Sequence, residues 1–354
     1  MDRIGWLLEV VAFCTAMLLV PGCEQPASPH ARSTPPGPIG VDLQMQAYQI
    51  ITDGLADAEP QVRANAIEVA ATTGAVRLMP RIQKLLSDPA VPVRFAAILA
   101  VGDLEYALAR NDVTHLLTDP NPNIRIAASY AMIRFGQPEY YKAICREIAS
   151  TDQTVRANAA LLLGKCGRQD GLRFLYWALQ RDDSTDKVVL QATESIAMLR
   201  DHRIYPKLWA QLISAYADDR VSGIQSMGAL GTDEAKNALI TMLDDSVPEV
   251  RLAAAVQLGK LGEPIGEPNV LQVLEKSPVT GMDTQGRVFA ALAIGEIGTE
   301  PLTKYLPQLL QDPSKPVRLA AAKAILRHAT RRQVPRNPMQ PAVTEGIQQR
   351  FTTQ

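Results

Sequence analysis

Apolar residues recur along this chain with the spacing of helices, in nine copies of one short pattern. Each copy is anchored by an arginine or by the residue that takes its place. The positions one before, three after and seven after the anchor share one helical face, and they are mostly apolar. No segment alternates convincingly at the period of a strand, so the pattern predicts helices and no sheet. The nine anchors are positions 63, 94, 125, 156, 189, 223, 251, 287 and 318.

The seventh position after the anchor is apolar in every copy, and the third is nearly always alanine. An alanine there indicates that helices cross closely at that point. Glycines eight or eleven residues after the anchor predict where the helix ends, because glycine is favoured at helix C-termini. The apolar seventh positions are Ala70, Val101, Met132, Leu163, Ile196, Leu230, Leu258, Ile294 and Ile325. The glycines are Gly74, Gly102, Gly136, Gly164, Gly167, Gly259, Gly262, Gly295 and Gly298.

Each copy predicts the second helix of a two-helix unit. A first helix is predicted before it, for example at residues 233–243. The first four anchors are each 31 residues apart, and such a period predicts a repeat array. The predicted fold is therefore all-α, a right-handed α-solenoid (superhelix) of about nine two-helix repeats over residues 41–329. Solenoids of this kind expose an extended concave surface to partners.

The recurring phrase Asp-x-x-x-x-Val-Arg-x-x-Ala resembles the HEAT repeat, and its short period is similar to the HEAT-like repeats of phycobilisome lyases. That resemblance implies a ladder between neighbouring repeats, made by the Asp and by the Arg six residues later. The alternative is a row of arginines that grips an anion. The ladder residues in this chain are Asp57, Arg63, Asp88, Arg94, Asp119, Arg125, Arg156, Asp245, Arg251, Asp312 and Arg318.

The first forty residues are predicted to lie outside the repeat array. Residues 1–22 combine a charged start with a largely apolar run, as in an export signal. Val20-Pro21-Gly22-Cys23 resembles the lipobox of bacterial lipoproteins, which implies that Cys23 carries a lipid anchor. A signal without a lipid and an uncleaved anchor are the alternatives. Residues 23–40 are rich in proline and predict a disordered spacer, and residues 330–354 predict a disordered tail.

Composition and residue spacing argue against nucleic-acid binding, metal binding and catalysis. The net charge is −1, so the basic excess typical of phosphate-binding proteins is missing. None of the four histidines precedes a glutamate, whereas the deoxyhypusine hydroxylases, an enzymatic HEAT family, hold iron through His-Glu pairs. Cys145 and Cys166 are predicted to be core residues too far apart for a disulfide. We therefore predict no catalytic residue, no metal site and no cofactor.

The repeats lose their regularity between anchors 156 and 251, where aromatic residues concentrate. Tryptophan and tyrosine dominate interface hot spots, so a partner-binding surface is predicted there. The alternative is that large side chains fill gaps left by degenerate repeats. A proline-containing insertion at residues 262–286 predicts a loop that projects from one rim. The candidate partner-binding residues are Trp177, Tyr205, Trp209 and Tyr216.

Taken together, these features predict a monomeric scaffold of the cell envelope, tethered to a membrane as a lipoprotein or otherwise exported, that binds a protein partner. The alternative function is that of an accessory enzyme of the bilin lyase or HEAT-like oxidoreductase type. A cytoplasmic repeat protein whose N-terminus only resembles a signal is a third interpretation.

Overall fold

The computed structural model describes residues 40–276 and 283–333, which form paired helices and include no strand. The prediction of an all-α array of two-helix repeats is confirmed. The first helices of the repeats are α1 Val41–Leu55, α3 Met79–Lys84, α5 Arg110–Leu116, α7 Tyr141–Glu147, α9 Leu172–Gln180, α11 Tyr205–Leu212, α13 Asp233–Thr241, α15 Glu267–Lys276 and the broken pair α17 Glu300–Thr303 and α18 Leu306–Leu310. The second helices are α2 Pro60–Thr72, α4 Val91–Asp103, α6 Pro122–Arg134, α8 Gln153–Lys165, α10 Asp186–Met198, α12 Ala217–Leu230, α14 Pro248–Lys260, α16 Thr284–Ile297 and α19 Lys315–Gln333.

At the start of several second helices, a proline or a capping side chain removes or satisfies the N–H groups that lack a helical hydrogen bond. Pro60 and Pro248 occupy the first helical position, where a missing N–H loses no helical hydrogen bond. Asp152 caps α8, because its carboxylate accepts hydrogen bonds from the amides of Thr154 and Val155. The starts of these helices are therefore fixed by short-range sequence.

Eight of the nine second helices end just before a residue in the left-handed region, which lies eleven residues after the anchor. This position is a glycine in six repeats, as at Gly74 with φ 65° and Gly298 with φ 75°. In two further repeats this position is occupied by Glu105 and Arg200, with φ values of 49° and 57°. Glycine is favoured here because a Cβ makes this conformation unfavourable. The six glycines are Gly74, Gly136, Gly167, Gly231, Gly262 and Gly298.

Replacing Arg200 with glycine is expected to stabilise the protein by about 0.5 to 1 kcal/mol, because the left-handed backbone then carries no Cβ. The measurement is the urea midpoint of unfolding. Arg200→Ala is the matched control, since it removes the same side chain but keeps the Cβ. A gain shared equally by both variants would show that the backbone conformation is not the cause.

The glycines eight residues after the anchor do not end the helices, contrary to the sequence prediction. They lie inside the second helices and allow neighbouring second helices to touch. A Cβ built on Gly102 would lie 3.0 Å from the Cα of Ala131, and one on Gly164 would lie 2.8 Å from the Cβ of Ser195. The small residue at this position therefore sets the distance between adjacent repeats.

The predicted anchor at Gly223 is wrong, and the structure places this anchor at Arg220. The anchor is the fourth residue of its second helix in the other repeats, and Arg220 is the fourth residue of α12. Arg220 also lies 31 residues from the anchors on both sides, at 189 and 251. The seventh position of this repeat is consequently Met227 rather than Leu230. Gly223 takes the third position, where the other copies have alanine.

The repeat array curves until its two ends meet and form a closed ring. The last helix, α19, packs against both helices of the first repeat, α1 and α2. At this seam the Nζ of Lys315 lies 3.0 Å from the carboxylate of Asp57 and 2.8 Å from that of Glu59. Lys323 lies 3.6 Å from Glu68 on α2. An open concave surface, which the sequence analysis predicted, is therefore replaced by an enclosed interior.

The second helices form the inner layer of the ring, and the first helices form the outer layer. Each second helix packs against the second helices before and after it, including α19 against α2 across the seam. These helices are buried almost all round, as in α14, where every residue from 252 to 259 is buried. Such burial explains why small and aliphatic residues dominate them.

Two predicted boundaries are corrected by the structure. The insertion at 262–286 is not simply a projecting loop, because it contains α15, the first helix of its repeat. Residues 330–333, which were predicted to belong to the tail, are part of α19, which continues to Gln333. The signal at 1–22, Cys23 and most of the spacer lie outside the described residues. Among the residues that are described, no helix combines the length and the apolar composition needed to cross a bilayer.

Candidate functional site

In the described residues, arginine–aspartate ion pairs connect five pairs of neighbouring repeats. In Arg63, the Nη1 donates to the main-chain carbonyls of Asp57 and Ala58, in the turn before its own helix. Its Nε and Nη2 donate to the carboxylate of Asp88 in the following repeat, at 2.8 Å each. The Arg63 guanidinium therefore hydrogen-bonds both to the turn before its own helix and to the corresponding turn of the following repeat. The ion pairs are Arg63–Asp88, Arg94–Asp119, Arg156–Asp183, Arg220–Asp245 and Arg287–Asp312.

Several ladder residues were not expected from the sequence pattern. Arg220 was missed because its anchor was misplaced. Asp183 was missed because the anchor six residues after it is Val189, which lacks the arginine of the recurring phrase. Lys315 completes the ladder at the seam, where it binds Asp57. The predicted members Arg125, Arg251 and Arg318 donate to the carbonyls of their own turns. In the part of the chain that the structure describes, the ladder therefore bridges five junctions between neighbouring repeats, and Lys315 bridges the seam.

Arg156 is the most deeply buried member of the ladder, with 2% of its surface exposed. Its Nε donates to the carbonyl of Ser150, and its two terminal nitrogens donate to the carboxylate of Asp183 at 3.2 and 3.1 Å. Hydrogen bonds from Arg156 and then from Arg181 hold the pKa of Asp183 well below its usual range. The guanidinium is thus satisfied by protein groups, which favours a structural role over anion binding.

The ladder is expected to make the protein less stable in acid. The pKa of Asp57 is lowered, chiefly by the amide of Glu59 and further by Lys315, and that of Asp183 is lowered by its arginines. Because these folded-state values lie below the ordinary value of 3.8, their stabilisation is complete above about pH 5. It is lost progressively as the pH falls from about 4 through the lower folded-state pKa values. Urea midpoints between pH 7 and pH 3 measure this loss.

Asp183→Asn should flatten that acid dependence, because it removes one of the titrating ladder carboxylates. Asp182→Asn removes the same charge from the adjacent residue and should leave the slope unchanged. Equal slopes in the two variants would contradict the role assigned to the ladder.

Charged side chains line the interior where the second helices end. The carboxylate of Asp103 accepts hydrogen bonds from Tyr130 at 2.5 Å and from Lys165 at 3.0 Å. Lys165 lies two repeats further along the chain, so this contact spans the interior. Lys165 and Lys260 are the last residues of their helices, where a positive charge is favoured by the helix dipole.

A second charged group lies on the inner side near the seam. The Nε of Arg327 lies 2.8 Å from the carboxylate of Glu296, and Lys323 contacts Glu68. Burial lowers the pKa of Lys260 to about 8, and the positive charges of Lys323 and Arg327 act in the same direction. Glu296 opposes this shift. The end of the interior near the helix C-termini is therefore filled by interacting charges.

The opposite end of the interior contains a cavity of about 280 Å³. It is lined by six consecutive second helices, from α2 to α12, and its walls combine carboxamides, hydroxyls and aliphatic groups. Gln61 and Thr154 are exposed at its rim, whereas Asn123, Glu194 and Ser226 are buried at its base. The sequence analysis did not predict this site, because its residues come together only when the repeats curve.

The predicted partner-binding residues separate into two groups. Trp177, on α9, lies beside the guanidiniums of Arg156 and Arg181, at 5.9 and 5.3 Å from the ring centre. Tyr205 and Trp209 stack on α11, with ring centroids 6.4 Å apart. Trp177 is therefore associated with the ladder, whereas Tyr205 and Trp209 lie on α11, the first helix of the next repeat.

Residues on and just after α11 form a larger apolar surface, which we call the aromatic face and define as Tyr205, Trp209, Ile213 and Tyr216. The first three are spaced by four residues and so follow one side of the helix. Trp209, Ile213 and Tyr216 are 40%, 67% and 63% exposed. Ile213 was not singled out from the sequence, although its spacing from Trp209 is the signal that identifies it.

Cysteine and histidine side chains in the described residues do not gather into a reactive centre. Cys145 and Cys166 are free thiols, and burial raises the pKa of Cys166 to about 12, which disfavours the reactive thiolate. Within residues 40–276 and 283–333, no group of three or more His, Cys, Asp or Glu side chains is placed to hold a metal ion.

Comparison with known proteins gives one family and a set of distant structures. The family described as HEAT repeats matches residues 49–133 and 206–278. Human deoxyhypusine hydroxylase in complex with glycerol is 17% identical over 74% of this chain and 99% of its own, with a TM-score of 0.37. The complex of CpcE and CpcF of phycocyanin lyase from Nostoc is 14% identical over 70% and 94%, with a TM-score of 0.41. Kap121p is 14% identical over 82% and 38%, with a TM-score of 0.36. No curated protein matches the chain by sequence.

Proposed function

We propose that this chain, which is similar to HEAT repeats over residues 49–133 and 206–278, is a non-catalytic scaffold of the cell envelope, tethered to a membrane through Cys23. On this proposal a protein partner binds the aromatic face. The observation that carries the proposal is the run of half-buried Tyr205, exposed Trp209 and exposed Ile213 along one side of α11 and its C-terminal end. Residues of this kind, clustered on a rigid helix, are those that contribute most to protein interfaces.

The closed ring supports a docking site on its outer layer. A partner cannot lie in an open groove, since the second helices enclose the interior and α19 covers the first repeat. The first helices, in contrast, face outward, and α11 is the one that carries the aromatic face. A partner that offers an apolar helix or segment would cover Trp209 and Ile213 together.

Trp209→Ala and Ile213→Ala test this docking site. The tagged protein is used to capture proteins from detergent-solubilised membranes, and captured proteins are compared between variants. We expect the specific partner to be lost or reduced at least about tenfold with either variant, as for interface hot spots. Leu108→Ala is the matched control, because Leu108 is 77% exposed on a distant repeat.

Circular dichroism melting confirms that each variant is folded. Retention of the same partner by both aromatic-face variants would place the docking site elsewhere.

The membrane tether is tested separately at Cys23. Labelled palmitate is expected to be incorporated into the wild-type protein and not into Cys23→Ala, which should also leave the membrane fraction. Cys145→Ala serves as the control for a thiol in the folded part. Equal incorporation into the wild type and Cys23→Ala would remove the lipid anchor from the proposal without affecting the docking site.

A further inference from the structure

The interior cavity is built from side chains that can form many hydrogen bonds. Ten of its sixteen lining residues are polar, and five of these are carboxamides. The carboxamides and hydroxyls come from five of the six second helices that line the cavity, so they surround the space from several sides. They are Gln61, Asn123, Asn158, Gln191 and Gln225, with Thr154, Ser222 and Ser226.

Part of this polar lining is held in place by hydrogen bonds within the protein. The amide of Asn158 donates to the side-chain oxygen of Asn123 at 2.8 Å, across two second helices. Gln61 donates to Asn65 on its own helix at 3.0 Å. Side chains fixed in this way lose little conformational freedom when a ligand binds.

Ser226 gives the cavity a specific point of attachment. Its side chain lines the cavity and is 4% exposed, yet within the described residues its hydroxyl makes no hydrogen bond. A serine hydroxyl can both donate and accept a hydrogen bond, so it can pair with a ligand hydroxyl or carbonyl in the cavity.

The charges of the cavity balance, and its remaining wall is apolar. Lys187 provides one positive charge and Glu194 one negative charge. The carboxylate disfavours a purely anionic ligand, and the lysine disfavours a purely cationic one. Leu161 and Leu190 offer aliphatic surface to the C–H face of a ligand.

We propose that this cavity binds a small, neutral, polyhydroxylated molecule, one or two sugar rings in size. Carboxamides both donate and accept hydrogen bonds, as do sugar hydroxyls, so the two sets are complementary. A volume of about 280 Å³ lies at the lower end of the range for ligand pockets, which fits a ligand of this size. This site is separate from the aromatic face and does not depend on a protein partner.

Saturation-transfer NMR with the full-length protein tests the proposal, using glucose, N-acetylglucosamine and maltose as probes. At least one of them should receive saturation from the protein, whereas acetate and inorganic phosphate should not. The affinity of the bound sugar is then measured by calorimetry for the variants Asn158→Leu and Ser226→Leu. Each should weaken binding about tenfold or more, because a hydrogen bond is lost and the cavity is partly filled.

Gln311→Leu, an exposed glutamine outside the cavity, is the control and should bind the sugar as the wild type does. If Ser226→Leu does not fold, Ser222→Leu replaces it, since Ser222 lines the same cavity but is only half-buried. The proposal is overturned if no sugar receives saturation, if acetate or phosphate binds instead, or if folded cavity variants bind with wild-type affinity.

Discussion

Leu319→Asp is expected to open the ring and to loosen both ends of the chain at once. Leu319 is 3% exposed on α19, and its two methyl groups would lie 3.4 and 3.9 Å from a Cβ built on Gly54 of α1. An aspartate there would place an unpaired charge in an apolar contact between the first and last repeats. We expect a loss of about 3 kcal/mol or more in the free energy of unfolding, from the lost packing and the buried charge.

The location of the damage distinguishes a ring from an open array. In an open array, a change in the last repeat would leave the first repeat unaffected, because each repeat contacts only its neighbours. In the ring, amide hydrogen exchange should accelerate in α1 and α2 as well as in α19, and the radius of gyration from solution scattering should increase. Amides of α8 and α10, on a distant part of the ring, serve as the internal control. Acceleration confined to α16 and the helices after it would contradict closure.

Gly295→Leu is expected to have the other large effect, by forcing two second helices apart. A Cβ at this position would lie 2.6 Å from the Cα and 2.7 Å from the Cβ of Ala324 on α19. The obstructing atoms belong to backbone and a methyl group, so no side-chain rotation relieves the overlap. The expected loss is about 3 kcal/mol or more, and it is measured as a shift in the urea midpoint.

Gly40→Leu is the control for this overlap, because a Cβ on Gly40 meets no atom within 4 Å. It should change the free energy of unfolding by no more than about 0.5 kcal/mol, as for ordinary surface substitutions. A Gly295→Leu protein as stable as the wild type would mean that α16 and α19 are not in contact as described.

The local features of each repeat could be predicted from the sequence because they depend on neighbouring residues. The anchors Arg63 and Arg94 correctly predicted second helices, and Gly74 and Gly136 correctly predicted where such helices end. The error at Gly223 arose from matching a degenerate phrase instead of keeping the 31-residue spacing, which Arg220 satisfies.

The glycines such as Gly102 and Gly295 show where local reasoning fails. Glycine is compatible both with a helix end and with a close helix contact, and the sequence alone does not say which applies. Only the neighbouring helix, with Ala131 or Ala324 against the glycine, decides between the two. The same is true of the ladder, in which the sequence predicted the residue types but the packing of repeats chose Asp183 and Lys315 as partners.

The sequence by itself determined an all-helical array of nine repeats, since hydrophobic spacing and turn residues act over a few positions. The tertiary structure alone decided that the array closes, because closure depends on a small rotation between repeats that accumulates along the chain. Once α19 reaches α1, contacts such as Lys315 with Asp57 join residues more than 250 positions apart. The interior cavity and the outward position of the aromatic face follow from the curvature of the array, so neither could be predicted from the pattern of the repeats.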